Sequence, residues 1–309
     1  MAEYKVIQGE CLEILKKMKG NTIQCCITSP PYYGLRDYQV DNQIGLEKTP
    51  EEYISKLVEV FREVRRVLRD DGTLWLNIGD SYNGSGKAGK KDSVYFERHT
   101  EFGKPAQHKE KIGNPTHIEG LKPKDLIGIP WMLAFALRTD GWYLRQDIIW
   151  AKGAPMPESV RDRCTKSHEY IFLLSKSKKY YFDYKAIQEP AVSKSPEKES
   201  TRGEGYGEAK GIKNNPDRDG GFSNNGYRNK RSVWFINTKP YKGAHFATFP
   251  PELIRPCIKA GSKEGDIILD PFAGSGTTGQ VALEEERNTL LIELNPEYIK
   301  LIENRLNKI

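Results

Sequence analysis

One stretch constrains the fold of this 309-residue chain more than any other: Ile267-Ile268-Leu269-Asp270-Pro271-Phe272-Ala273-Gly274-Ser275-Gly276-Thr277-Thr278-Gly279. An apolar run, a glycine turn and a helix start follow one another without a spacer, and Gly274, Gly276 and Gly279 spell GxGxxG. Glycines at those places let the turn tighten, let backbone approach a ligand and let the helix pack closely on a sheet. The next apolar run, Thr289 to Ile292, ends at Glu293, seventeen residues beyond Gly276. An acid at that distance takes the ribose hydroxyls of a nucleoside whose polar groups face the helix N-terminus. The stretch therefore predicts an α/β, doubly wound, mostly parallel sheet of Rossmann-like type. It does not separate a dinucleotide from S-adenosylmethionine, so a dehydrogenase remains open at this point.

The rest of the chain supplies the strands and helices such a sheet needs. Tyr4 to Gln8 reads as a strand, Glu10 to Met18 as an amphipathic helix and Thr22 to Thr28 as a buried strand. Thr49 as N-cap, Pro50 at the first helical position and Glu52 closing a capping box open a helix through Ile54, Leu57, Val58, Phe61, Val64 and Leu68, which Gly72 stops. Thr73 to Ile78 is then a strand, Lys124 to Leu137 a helix interrupted at Pro130, and Tyr143 to Trp150 and Glu169 to Ser175 are strands. Val233 to Ile236 and Asp266 to Leu269 read as further strands, Pro251 to Lys259 as a short helix, and Asn295-Pro296 caps a last one.

Two segments break this rhythm. Ser81 to Leu121 has no usable periodicity, and Thr201 to Asn229 holds seven glycines and five asparagines with almost no aliphatic residues. The second cannot build a core and is expected to order on a partner. It lies in a basic stretch: Lys176 to Ser232 carries thirteen Lys/Arg against eight Asp/Glu, most of the chain's net charge of +6. Such a segment suits a polyanion, because neutralising phosphates releases counterions. Nothing in the chain approaches membrane-spanning length and its first residues lack signal-peptide order, which predicts a cytoplasmic protein with no membrane partner. The five cysteines and five histidines follow no ligand spacing, so neither a disulfide framework nor a metal site is expected.

A second constellation sits at the end of the strand closing at Thr28. Thr28-Ser29-Pro30-Pro31-Tyr32 leaves that strand as a stiff rim, since two prolines fix two φ angles and remove two N–H donors. The rim carbonyls are expected to lack local partners. With the Ser29 hydroxyl as acceptor and the Tyr32 ring as a flat face, the rim suits an exocyclic amino group on a stacked ring.

Together, Thr28-Ser29-Pro30-Pro31-Tyr32 and Leu269-Asp270-Pro271-Phe272-Ala273-Gly274-Ser275-Gly276-Thr277-Thr278 closely resemble the amino-group DNA methyltransferases. In that family an (Asp/Asn/Ser)-Pro-Pro-(Tyr/Phe) tetrapeptide is the catalytic rim, and a Phe-x-Gly-x-Gly turn binds S-adenosylmethionine. The catalytic motif precedes the cofactor motif here, the circularly permuted order of the β subgroup. The resemblance implies catalytic roles for Ser29, Pro30, Pro31 and Tyr32. It implies cofactor contacts for Asp270, Phe272, Gly274, Ser275, Gly276, Thr277 and Glu293. Ala244-His245-Phe246-Ala247-Thr248-Phe249-Pro250 looks like the segment closing over the methionine end of the cofactor, adding Phe246 and Thr248. Residues 1–80 then form the catalytic half, 81–121 an inserted loop, 122–189 a continuation of the core, 190–232 the target-recognition region and 233–309 the cofactor-binding half. Lys210, Lys213, Arg218, Arg228, Lys230 and Arg231 are the groups expected to hold DNA phosphates.

The implied reaction is methylation of a flipped base in double-stranded DNA. Ser-Pro-Pro-Tyr goes mainly with cytosine N4 in this family and Asp-Pro-Pro-Tyr with adenine N6, so cytosine N4 is the favoured target. Cys257 lacks the Pro-Cys-Gln surroundings of ring-carbon methylation and reads as structural. His168 and Glu169 are strand neighbours pointing to opposite faces, which suits a supporting role better than an acid–base pair; Asp80, at a strand end, is a supporting candidate on position alone. An RNA or protein amide methyltransferase and a non-enzymatic DNA-binding module remain as alternatives. Homodimerisation and a cognate restriction endonuclease are further expectations of the resemblance.

Overall fold

The computed structural model describes residues 2–34, 43–83, 118, 120–191, 226–238 and 249–309. In chain order these form β1 (Tyr4–Gln8), α1 (Cys11–Lys17), β2 (Ile23–Thr28), α2 (Pro50–Val67), β3 (Leu68–Ile78), α3 (Ile129–Thr139), β4 (Tyr143–Ala151) and β5 (His168–Ser175). They continue with β6 (Glu189–Pro190), β7 (Tyr227–Arg228), β8 (Val233–Phe235), α4 (Pro251–Gly261), β9 (Ile267–Asp270), α5 (Thr277–Glu284), β10 (Asn288–Glu293) and α6 (Pro296–Leu306).

Eight strands make one sheet in the order β1-β10-β9-β2-β3-β5-β4-β8, and β6 pairs with β7 apart from it. Within the sheet only the β3–β5 and β5–β4 pairings are antiparallel; the other five are parallel. The doubly wound, mostly parallel sheet expected from the sequence is thus the observed architecture. Its strands read as nearly continuous apolar runs because both faces are covered. On β2, Ile23 and Cys26 face the core that takes Tyr53, Leu57, Phe61 and Leu133 of α2 and α3. Cys25 and Ile27 face the core formed with Leu253, Ile254 and Ile258 of α4 and Val281 of α5. A smaller cluster, Leu291, Ile302 and Leu306, docks α6.

The starts of the helices follow the sequence closely. Thr49 Oγ1 accepts from the Glu52 amide at 3.2 Å, while the Glu52 carboxylate reaches back to the Lys48 amide at 3.1 Å, one residue before the cap that a capping box would serve. Asn295 caps α6 by accepting from Glu297 N at 2.9 Å. Two boundaries differ from expectation. Gly72 does not stop α2, which ends at Val67 and passes directly into β3; Gly72 lies inside that strand, where a Cβ would sit 2.9 Å from Arg69 O and 3.0 Å from Gln24 O. Pro130 does not interrupt a helix either: α3 begins only at Ile129, placing the proline in its first turn, where its missing donor costs nothing.

Candidate active site

From β9 the chain winds through α5 to β10 on one side, and from β2 through α2 to β3 on the other, so the strand order reverses between β9 and β2. Ligands of open α/β sheets bind outside the carboxyl ends of the strands at such a point. The glycine turn leaves β9 there and the Ser29-Pro30-Pro31-Tyr32 rim leaves β2 beside it. One buried carboxylate ties the two. Asp270 accepts from Thr28 Oγ1 and Thr278 Oγ1, each at 2.6 Å, and from Phe272 N at 3.1 Å. Burial pushes its pKa up to about 6, with the Thr278, Thr28 and Phe272 donors opposing the rise.

At the rim, expectation fails for one of the two proline carbonyls. Pro31 O accepts from the Tyr53 hydroxyl at 2.8 Å, so it is not an idle acceptor. Among the described residues no donor is bonded to the Pro30 carbonyl. Tyr32 donates its hydroxyl to Glu169 Oε2 at 2.7 Å. Burial first, and the Glu169 charge second, hold that phenol well above its ordinary pKa, so it stays protonated. Glu169 Oε1 is paired with Lys152, while Asn77 Nδ2 reaches Oε2 at 3.3 Å and Tyr170 O at 3.0 Å. Gly79 makes room for this cluster: a Cβ there would lie 2.8 Å from Tyr32 Cε2 and 3.3 Å from Glu169 Cγ. Asp80 is engaged elsewhere, its carboxylate accepting from the Ser81, Gly128 and Ile129 amides at 2.9 to 3.2 Å at the start of α3.

On the other side of the crevice, Gly274 N donates to Glu293 Oε2 at 2.7 Å and Asn295 N to Oε1 at 2.9 Å. Burial raises the Glu293 pKa against the pull of these two amides. Gly274 (φ +52°) and Gly276 (φ +77°) both occupy the left-handed region. A Cβ on Gly276 would meet Ile302 at 3.1 Å and one on Gly279 would meet Leu291 Cδ1 at 2.7 Å, whereas one on Gly274 would meet only Phe272 O at 4.0 Å. The first glycine therefore opens on free space at the crevice, and the other two answer to packing. These features form a cradle fit for a nucleoside-bearing cofactor: bare backbone, a carboxylate at the neighbouring strand end and a helix start. Ser275 and Thr277 are buried, and Arg305 of α6 donates to Ser275 Oγ at 3.2 Å and Thr277 Oγ1 at 2.9 Å.

The described part of the basic segment is less free than its sequence suggests. Arg228 and Arg231 both donate to Glu189 Oε1, at 3.0 and 2.7 Å, and Lys230 lies 4.9 Å from the Trp234 ring centre. Lys210, Lys213, Arg218, Phe246 and Thr248 lie outside the described residues, as do residues 201–225 of the glycine-rich stretch and most of 81–121. Cys257 is buried in α4, its thiol pushed well up in pKa by burial, which suits a structural sulfur rather than a nucleophile. No described helix is long and apolar enough to cross a membrane. Sequence reasoning gave Glu169 only a supporting role and assigned no role to Lys152 or Asn77. Glu169 stands 137 positions from Tyr32, and only the β3–β5 and β4–β5 pairings bring these groups to one place.

Residues 23–304 match the N6/N4 methylase family, described as DNA methylase. The Type II methyltransferase M.Cfr9I of Citrobacter freundii is 49% identical over 301 residues, 97% of this chain and 87% of its own. M.SmaI of Serratia marcescens is 48% identical over 303 residues, 98% of this chain and 90% of its own. Among solved structures, the PvuII DNA methyltransferase (cytosine-N4-specific) superposes with a TM-score of 0.64 at 18% identity, over 99% of this chain and 86% of that one. A DNA modification methylase homologue of Thermus thermophilus, solved with S-adenosyl-L-methionine, superposes with a TM-score of 0.60 at 22% identity, over 99% and 93%.

Proposed function

We propose that this chain, which belongs to the N6/N4 DNA methylase family and is an amino-group DNA methyltransferase, methylates the N4 amino group of cytosine in double-stranded DNA. The observation that carries the reading is the juxtaposition of two acceptors, the Ser29 hydroxyl and the Pro30 carbonyl to which no described residue donates, with a cofactor cradle braced to them through Thr28, Asp270 and Thr278. The Ser-Pro-Pro-Tyr rim favours cytosine over adenine by family association, and the likeness to a cytosine-N4-specific structure supports that choice.

An exocyclic amino nitrogen is a weak nucleophile because its lone pair is delocalised into the ring. Accepting its two hydrogens at Ser29 and Pro30 favours a pyramidal nitrogen and aims the lone pair across the crevice. The Tyr32 ring provides the face on which the extruded base stacks, restoring part of the few kcal/mol that flipping costs. Glu293 and the Gly274–Gly276 turn would hold the adenosyl half of S-adenosylmethionine, which supplies the electrophilic methyl when bound. The buried thiol of Cys257 takes no part, and no covalent base intermediate is required. The Type II relatives support a restriction–modification context; an endonuclease of the same specificity and a second copy of the chain are the partners proposed for it.

Ser29→Ala is expected to lower single-turnover methyl transfer on the order of 100-fold while changing DNA affinity little. Sequencing of DNA from a methylation-free host expressing the wild-type chain should show N4-methylcytosine in one short motif. N6-methyladenine would retain the enzyme and overturn the base; equal loss of DNA binding in Ser29→Ala would overturn the residue's role.

A further inference from the structure

We infer that Tyr32 and Glu169 form a proton relay that takes the proton leaving the methylated amino group from Ser29 to a carboxylate. The inference rests on the amino-methylation reading above and adds the fate of the proton, which neither the Pro30 carbonyl nor a lone serine hydroxyl is basic enough to keep. The far end of the route is already in place: Tyr32 donates to Glu169 Oε2 at 2.7 Å, and the Ser29 hydroxyl lies near enough to the phenol to oppose the rise of its pKa.

Atoms and charge balance along this route. The nitrogen lone pair forms the N–C bond, the C–S electron pair leaves with sulfur, and the nitrogen becomes cationic. Its N–H proton passes to Ser29 Oγ, the Ser29 proton to Tyr32 Oη and the Tyr32 proton to Glu169 Oε2. The products are a neutral methylamino base, a neutral thioether and a protonated Glu169, with both hydroxyls restored. Glu169 and Lys152 keep 15% and 19% of their side-chain surface exposed, enough for the carboxyl to return its proton to water between turnovers.

Other features single out this route. Of the other carboxylates near the rim, Asp80 accepts from three backbone amides and Asp270 from Thr28, Thr278 and the Phe272 amide. The Asn77 amide holds the Glu169 oxygen that faces Tyr32, and Lys152 holds the other, so the carboxylate cannot swing away. Gly79 supplies the space in which ring and carboxylate meet. The groups around Glu169 are Lys152 at the end of β4, Lys166 in the loop before β5, Tyr32 on the rim and Asn77 on β3, with His168 beside it in sequence.

The test is single-turnover methyl transfer to duplex DNA by the full chain at saturating S-adenosylmethionine, across pH and in light and heavy water. Glu169→Gln keeps an acceptor of the same length for the Tyr32 hydroxyl but takes up no proton; Tyr32→Phe keeps the stacking face but breaks the chain. Each should slow the methyl-transfer step on the order of 100-fold, flatten the acid limb of the pH profile and reduce the solvent isotope effect. The double variant should be no slower than either single one, since both cut the same chain. Cofactor and DNA affinities, measured separately by equilibrium binding, should stay within about threefold. A wild-type rate and acid limb in Glu169→Gln, or losses that multiply in the double variant, would overturn the relay and leave the enzyme's assignment standing. A wild-type chain that methylates RNA or protein but no DNA would overturn the assignment itself. Should Glu169→Gln lose cofactor affinity, Glu169→Asp decides: restored turnover with a restored acid limb supports the relay, and restored binding without turnover contradicts it.

Discussion

Asp270 is where stability and catalysis meet in a single carboxyl group. Its desolvation is opposed by three donors, but they do not cancel it, and its pKa stands at about 6 instead of the usual carboxylate range. In the unfolded chain the same group titrates near ~3.9. The folded state thus binds this proton more tightly than the unfolded state. The group's contribution to stability is fully present below the unfolded pKa and is lost as pH rises through about 6. About two pH units of displacement correspond to roughly 3 kcal/mol. Asp270→Asn removes that titration while keeping a polar side chain between Thr28 and Thr278. The stability of the wild type relative to Asp270→Asn should therefore fall by up to about this amount from pH 4 to pH 7. Urea unfolding of both proteins across that interval checks it; a difference that does not change with pH would show that Asp270 ionises as freely in the fold as out of it.

The β9–α5 element asks its three glycines to do different things, and substitution separates them. A methyl group on Gly279 would lie 2.7 Å from Leu291 Cδ1, at the contact of α5 with β10. Gly279→Ala should cost about 1–3 kcal/mol of stability by overpacking, with cofactor affinity reduced only as far as the turn is displaced. A methyl on Gly274 meets little protein, so Gly274→Ala should lose only the roughly 1–2 kcal/mol of a left-handed non-glycine residue but weaken cofactor binding at least tenfold. Thermal unfolding with and without S-adenosylmethionine distinguishes the two; the opposite ranking would mean that the open side of Gly274 is not the ligand's side. The glycine pattern was legible in the sequence because its spacing is local. Local signals also gave Thr49, Asn295 and most element starts. They failed at Gly72 and Pro130, where the cause is tertiary: Gly72 is required by the approach of Gln24 O across β2 and β3, and Pro130 belongs to a helix whose start is set by Asp80 accepting from Gly128 and Ile129. The Tyr32–Glu169–Lys152 cluster was illegible for the same reason, since nothing near Tyr32 in sequence announces its partners.

At the scale of the molecule, the motif order places the rim and the glycine turn some 240 residues apart in sequence and side by side in space, with the sheet as their only common frame. Anything outside that frame should be separable from it. Ala191 and Gly226, the described residues on either side of 192–225, touch: Ala191 N donates to Gly226 O at 2.8 Å, next to the β6–β7 pair. Residues 192–225 therefore begin and end at one point, and a linker of about two to four residues, the length of a hairpin turn, closes the gap. We expect a chain with that replacement to keep its fold and its affinity for S-adenosylmethionine, because none of the described strands of the sheet or residues of the cradle is touched. Site-specific methylation should disappear, because 190–232 is the proposed target-recognition region and carries Lys210, Lys213 and Arg218. Calorimetric cofactor titration beside methylation of plasmid DNA reads both at once. Cofactor binding without methylation supports a recognition module mounted on an autonomous catalytic sheet. Undiminished methylation of the same motif would move recognition elsewhere in the chain, and loss of cofactor binding would show that the segment braces the crevice itself.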